Sequence, residues 1–430
     1  MEGTWRGRVV RIGGSFACAT PRTYAQAVAE LTHFGGWISI VAGAFLVAVV
    51  TSRLAERFRI PPGALFLIAA AVASDVFPGL SHLSIRDVER LASVALAVIL
   101  FDGGLRVGWR RFRDAAVPIV SLGLVGTFVT AGLLALVAHY LLGFQWSTSG
   151  VLGAALAPTD PAIMFSVMGR HEIAGRTGTI LEGESGANDP VGIALTLVMI
   201  EAATGGGSVG SAVLEFVDSL LIGLAIGVVA ALALHPLLVR LPLRDSSLGP
   251  LRTLAFAGLV FGVASYAHGS GFLAAYIAGV LVGDSSFRGK RAVARFHTSL
   301  ASLAEIVVFV ALGLTIHLGD VFHGGVWSDA LVLAVLGIFV IRPLALAPLL
   351  VPIELTRGER AFVVWAGLKG AVPILLASFA LLGAVDHAQR IYLIVFVVVA
   401  ISVTLQAATI PSAARRLRVP MLELREEEWE

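Results

Sequence analysis

The chain has 430 residues, of which 57% are hydrophobic and 14% charged, against about 45–50% and about 25% in a soluble domain. Its net charge is only +2 and its basic residues are scattered over short loops, which excludes a nucleic-acid-binding patch. A single cysteine, Cys18, excludes an intramolecular disulfide and a cysteine-built metal centre. Apolar runs of membrane-spanning length recur from end to end, so the expected class is an all-α polytopic membrane protein.

Counting about 20 apolar residues per span, the sequence predicts about 13 transmembrane helices. Spans 1 to 7 fall near 34–54, 60–78, 88–105, 115–141, 149–169, 179–203 and 211–239. Spans 8 to 13 fall near 250–267, 271–285, 299–318, 327–352, 360–383 and 389–411. Residues 1–33 then form an N-terminal tail, 34–411 the membrane domain and 412–430 a short cytoplasmic tail. The first run is too long for the core of a cleavable signal and reads as an anchor.

Charge tests this count independently. Alternate loops carry Arg53, Arg57 and Arg59, then Arg106, Arg110, Arg111 and Arg113, then Arg170 and Arg176. The same side receives Arg240, Arg244 and Arg252, then Arg288, Lys290, Arg291 and Arg295, then Arg357 and Arg360. The opposite loops hold only Arg86, Arg90 and Arg390. By the positive-inside rule the basic side is cytoplasmic. The N-terminus is therefore expected outside a cell (inner) membrane and the C-terminus in the cytoplasm. Arg6, Arg8, Arg11 and Arg22 in the N-terminal tail run against that orientation.

An odd offset of seven spans inverts the second half relative to the first, and inverted repeats with paired interrupted helices mark secondary transporters. The interruptions fall in the fifth span of each half. Span 5 carries Pro158-Thr159-Asp160-Pro161 and span 12 carries Gly367-Leu368-Lys369-Gly370-Ala371-Val372-Pro373. A broken helix exposes backbone groups, tolerated at membrane depth only inside protein or against water. Its half-helix ends offer partial charges of opposite sign.

The most informative segment opens span 6. Glu184 and Asp189 sit in Glu182-Gly183-Glu184-Ser185-Gly186-Ala187-Asn188-Asp189-Pro190, ahead of a long apolar run. A charge at membrane depth costs roughly 2.5–3.5 kcal/mol on insertion scales. An ion, a proton or a counter-charge is the usual compensation.

Taken together, Thr159-Asp160-Pro161, Glu184-Ser185, Asn188-Asp189-Pro190, Arg342-Pro343 and Gly367-Leu368-Lys369-Gly370-Ala371 resemble the monovalent cation/proton antiporters, within them the NhaP-like branch of sodium/proton and potassium/proton exchangers. The resemblance covers roughly residues 35–412. It implies a homodimer in which spans 4–6 and 11–13 form a moving transport bundle and spans 1–3 and 8–10 a scaffold. Phe101-Asp102-Gly103-Gly104-Leu105 resembles a version found in potassium/proton members. Those members often carry a soluble C-terminal regulatory domain, whereas this chain is expected to end in its short tail. The usual arginine of the span 12 motif is Lys369 here, which keeps the charge but not the fork of donors.

Antiport needs a group that binds a cation or a proton but not both, and a buried carboxylate tuned to titrate near working pH does this. Asp189 is that candidate. A monovalent cation wants oxygen ligands; by family match Asp189, Ser185 and Thr159 supply them, and no resident cofactor is expected. Asp160 is either a further ligand or the cap of the half-helix after the break. Asn188 is expected to orient Asp189 or bridge to the broken helix rather than to bind the ion directly, and it stands where electrogenic relatives carry a second Asp. Electroneutral exchange of one proton per cation follows.

Arg342 lies mid-span, where a lone guanidinium is costly. Family resemblance supplies Glu184 as its structural partner, with tuning of Asp189 as the alternative role. Lys369 is expected to neutralise half-helix carbonyls. Asp102 and Glu305 either line an ion funnel or serve local pairing, Asp102 with Arg106 and Glu305, one turn into span 10, within the scaffold. His171 and His297 fall on predicted cytoplasmic loops, as pH sensors or as solvated side chains.

The expected function is antiport of sodium or potassium against protons by alternating access, not enzymatic catalysis. The ligand set is compatible with sodium, potassium and lithium. The partners implied are small cations, protons, the lipid bilayer and a second copy of the chain. A cation channel would show a repeated filter or charged ring. An intramembrane hydrolase would show a nucleophile and base. A non-transporting membrane sensor leaves Asp189, Arg342 and Lys369 unexplained.

Overall fold

The computed structural model describes residue 35 and residues 61–77, 84–168, 171–205, 209–240, 248–287 and 289–423. The predicted first span, apart from residue 35, the N-terminal tail and Arg53, Arg57 and Arg59 lie outside the described residues. Among the described residues, seven helices are long and apolar enough to cross a membrane. The chain is thus a mostly helical, multi-pass membrane protein.

Each predicted span from residue 60 onward falls on a helix or on a pair of half-helices. The first are α1 (Pro62–Val76), α2 (Ile85–Val107), the short α3 (Trp109–Asp114) and α4 (Ala116–Tyr140). Span 5 is split into α5 (Trp146–Leu156) and α6 (Pro161–Met168). Next come α7 (Gly175–Ala203), α8 (Val209–Arg240), α9 (Leu248–Tyr266) and α10 (Gly271–Gly283). Then follow α11 (Lys290–Gly313), a single turn α12 (Leu318–Val321) and α13 (Val326–Leu350). Span 12 is split into α14 (Arg357–Trp365) and α15 (Ala371–Leu382), and α16 (Ala388–Arg416) closes the helical part. Helix α7 is absent from the seven strongly apolar helices because it carries Glu182, Glu184 and Asp189.

Local chemistry fixes several ends. Ser84 caps α2 by accepting the Asp87 amide at 3.1 Å, and Gly108 ends it at φ 67°. Thr356 and Glu359 form a reciprocal capping box at the start of α14. Short π-helical stretches interrupt α4 at Ser121–Gly126, α13 at Gly337–Ile341 and α16 at Ser402–Gln406. Such wide turns release backbone groups and recur at functional sites.

Four sequence expectations are corrected. Span 10, placed at 299–318, is the helix Lys290–Gly313. Its first turns carry Lys290, Arg291 and Arg295, which hid a helical segment from an apolar count. Glu305 therefore lies well inside the helix, and His297, expected on a loop, is fully buried within it. The last helix runs past 411 to Arg416, and the tail beyond it is partly structured. Met421–Glu423 pairs antiparallel with His171–Ile173, with Glu172 opposite Leu422.

Candidate ion-binding site

The two interrupted helices meet at their breaks. The Asp160 amide donates to the Leu368 carbonyl at 2.8 Å, so each break satisfies part of the other's freed backbone. Both glycines of the Gly367-Leu368-Lys369-Gly370 turn are required by this crossing. A Cβ on Gly367 would occupy the Arg342 guanidinium, and one on Gly370 the Asp160 carboxylate.

Helix α7 runs alongside the crossing and supplies its polar face. Asn188 Nδ2 donates to Thr159 Oγ1 at 2.8 Å, and its Oδ1 accepts the Thr159 amide at 3.4 Å. Ser185 Oγ donates to the Thr159 carbonyl at 2.7 Å. Asn188 thus takes the bridging place between α7 and the break. Asp160 Oδ1 accepts the Ala162 amide at 2.8 Å and so caps α6. Asp189 is only 6% exposed, and among the described residues no hydrogen bond reaches its Oδ1. A buried oxygen without a donor needs a reason.

Cations close the C-terminal ends of both leading half-helices. Lys369 Nζ donates to the Ala157 and Pro158 carbonyls at 2.9 and 3.2 Å, at the end of α5. Arg342 Nε donates to the Val364 carbonyl at 2.9 Å, at the end of α14. The same guanidinium donates to both oxygens of Glu184 at 3.1 and 3.3 Å. Arg342 and Glu184 are 5% and 3% exposed, so the pair is fully inside the protein.

A cavity of about 290 Å³ lies among α2, α6, α7, α10, α11 and α15 at the crossing. Asp160, Ser185 and Asp189 line it, with Ala371 and Val372 at the N-terminal end of α15. A half-helix N-terminus carries partial positive charge and suits facing carboxylates. Asp102, Glu182 and Glu305 line the cavity as well. Asp102 lines the cavity and pairs with Arg106 at 2.5 Å. Thr159 is absent from the cavity lining; its hydroxyl and carbonyl already accept from Asn188 and Ser185. Sequence reasoning passed over Tyr276, which lines the cavity, and Ser402 and Gln406 at the second break. A lone tyrosine in an apolar run carries no signal of a site, whereas a glutamine in one does.

His171 lies in the small sheet and is exposed. His297 Nε2 bonds Thr253 Oγ1 at 2.8 Å. Both stand apart from the crossing.

The model of the transmembrane sodium/hydrogen exchanger family matches residues 41–416. The chain belongs to this family. A K+/H+ antiporter NhaP of Alkalimonas amylolytica is 33% identical over 388 residues, 89% of this exchanger-family chain and 67% of its own length. A K+/H+ antiporter NhaP2 of Shewanella oneidensis is 31% identical over 380 residues, 87% of this chain and 66% of its own. This family member thus spans about two thirds of the length of these curated relatives. The fold matches the sodium proton antiporter MjNhaP1 of Methanocaldococcus jannaschii with a TM-score of 0.75 at 22% identity. That match covers 88% of this chain and 99% of the other.

Proposed function

We propose that this protein is a secondary antiporter that exchanges a monovalent cation for a proton, with Asp189 holding one or the other. The observation that carries this reading is the buried Asp189 carboxylate, with an oxygen that accepts no hydrogen bond, lining a cavity together with Asp160 and Ser185. A dehydrated alkali ion satisfies such an oxygen electrostatically, and a proton satisfies it by neutralising it. Ser185 and the cavity waters complete an oxygen coordination sphere. Asp160 contributes negative charge beside the site while its other oxygen caps α6.

Asn188 in place of a second acid supports exchange of one cation for one proton without net charge movement. Potassium is the favoured ion. Relatives at 30–33% identity are named K+/H+ antiporters, while a Na+/H+ antiporter of Aphanothece halophytica is 25% identical. The Phe101-Asp102-Gly103-Gly104 segment points the same way.

Two halves of the chain support an inverted repeat within a thirteen-helix plan. In α5–α6 the freed Thr159 amide goes to Asn188 of the next helix; in α14–α15 the freed Lys369 amide goes to Ser402 of the next helix at 2.9 Å. Helices α4 and α13, which correspond under that repeat, each carry a π-helical stretch. In this plan α4–α7 and α13–α16 form the moving bundle, and α1, α2, α9, α10 and α11 belong to the scaffold. The protein works as a homodimer in the cell membrane, N-terminus outside and C-terminus in the cytoplasm. The cavity then opens to the cytoplasm.

The test is ion-driven proton movement in proteoliposomes of the full chain across sodium, potassium and lithium. Saturable exchange that stops in Asp189→Asn supports the reading. Exchange of equal rate in the variant overturns it.

A further inference from the structure

Helix α10 is locked to α2. A Cβ on Gly104 or Gly279 would run into the backbone of the opposite helix, so the two helix backbones touch directly there. From this rigid pair Tyr276 projects toward α7. It is 1% exposed, its hydroxyl lies 3.5 Å from the Gly183 carbonyl, and its ring faces the ion cavity.

The ring rests where α7 has no side chain. A Cβ on Gly186 would clash with the Tyr276 ring at Cε2 and Cζ and lie 2.8 Å from its hydroxyl oxygen. Gly186 follows Ser185 and lies one turn before Asp189 and Pro190. Pro190 has no amide hydrogen, so the Gly186 carbonyl loses its helical donor and α7 is weakened at this turn. Ring, notch and weakened turn therefore coincide beside the carboxylate.

We propose that Tyr276 is a positioning residue: its ring, seated in the Gly186 notch, holds α7 at the depth where Asp189 faces the cavity described here. This rests on the antiport reading and adds the contact that keeps the cavity-facing arrangement populated. Movement of α7 past α10 has to lift the ring out of the notch. Removing the ring lowers the population of that arrangement, and apparent affinity falls by the same factor.

The experiment is a size swap in proteoliposomes of the full chain, measuring turnover and the apparent KM for potassium on the cavity side. Tyr276→Phe keeps the ring and should stay within about two-fold of the parent on both. Tyr276→Leu should raise KM about three- to ten-fold with turnover nearly unchanged. Gly186→Ala should lower activity at least about ten-fold, and adding Tyr276→Leu to it should restore most of the loss. Equal activity of Gly186→Ala and the parent overturns the proposal, as does a double variant no better than Gly186→Ala. If Gly186→Ala does not fold, an unchanged KM in Tyr276→Leu overturns it alone. Asp189→Asn, assayed in parallel, separates the outcomes. Its activity would sink the antiport reading, while the Tyr276–Gly186 coupling stands or falls on the size swap.

Discussion

The two helix breaks solve one problem with different chemistry. Both leave orphan carbonyls at the end of a leading half-helix, and both direct a cation at them, Lys369 at the first and Arg342 at the second. Both hand a freed amide to a polar side chain of the next helix, Asn188 in one case and Ser402 in the other. They differ in what else they hold. The first break carries Asp160 and lies against Asp189, facing the cavity. The second is closed by Gln406, which donates to the Trp365 carbonyl at 2.8 Å and accepts from Ser402 at 2.9 Å. Among the described residues, the carboxylate beside the first break keeps an oxygen without a donor, whereas the side chains of Ser402 and Gln406 at the second are both hydrogen-bonded.

Breaking the brace should cost the most stability. Arg342→Ala strands Glu184 in the interior and frees the Val363 and Val364 carbonyls. Removing one partner of a buried ion pair costs about 3–5 kcal/mol, so folded protein should fall sharply in fluorescence-detected size-exclusion. Normal yield with an altered ion preference would mean that the pair tunes Asp189 instead. Lys369→Met should cost less, about 1–3 kcal/mol for orphaned carbonyls, and Lys369→Arg should recover part of it. A melting temperature of Lys369→Met equal to the parent's would show that the first break does not depend on that cation.

Much of this asymmetry was legible in the sequence. Proline and glycine placed both breaks, and charges inside apolar runs picked out Glu184, Asp189, Arg342 and Lys369. What the sequence did not carry was contact across the chain. Nothing local to Thr159 reveals that Asn188 and Ser185 bond its hydroxyl and carbonyl. The start of α11 was missed because an amphipathic extension fails an apolar window. Tyr276 was missed because its role depends on a glycine 90 residues earlier in the chain.

The smallest effect is expected where the breaks end on the basic side. Thr177 Oγ1 donates to Glu359 at 2.7 Å and the Thr356 amide donates to it at 2.8 Å, tying α7 to the start of α14. Burial acts to raise the Glu359 carboxyl, but these donors outweigh it and hold the group below its ordinary 4.5. A depressed carboxyl stabilises the fold above its unfolded value and loses that stabilisation as pH falls through its lower folded value. Thr177→Val should therefore lower stability at neutral pH by about 0.5–1.5 kcal/mol, read as a slightly lower melting temperature. The gap to the parent should narrow as pH drops below 4.5. A gap that stays constant across that range would show that Glu359 is not the acceptor that matters.

The central claim is that Asp189 carries cation and proton in turn. Its most direct test is potassium-driven proton flux in proteoliposomes, with membrane potential clamped and then released, for the parent and Asp189→Asn. The account predicts saturable flux in the parent, indifferent to potential, and none in the variant. Flux in Asp189→Asn at the parent's rate would contradict it.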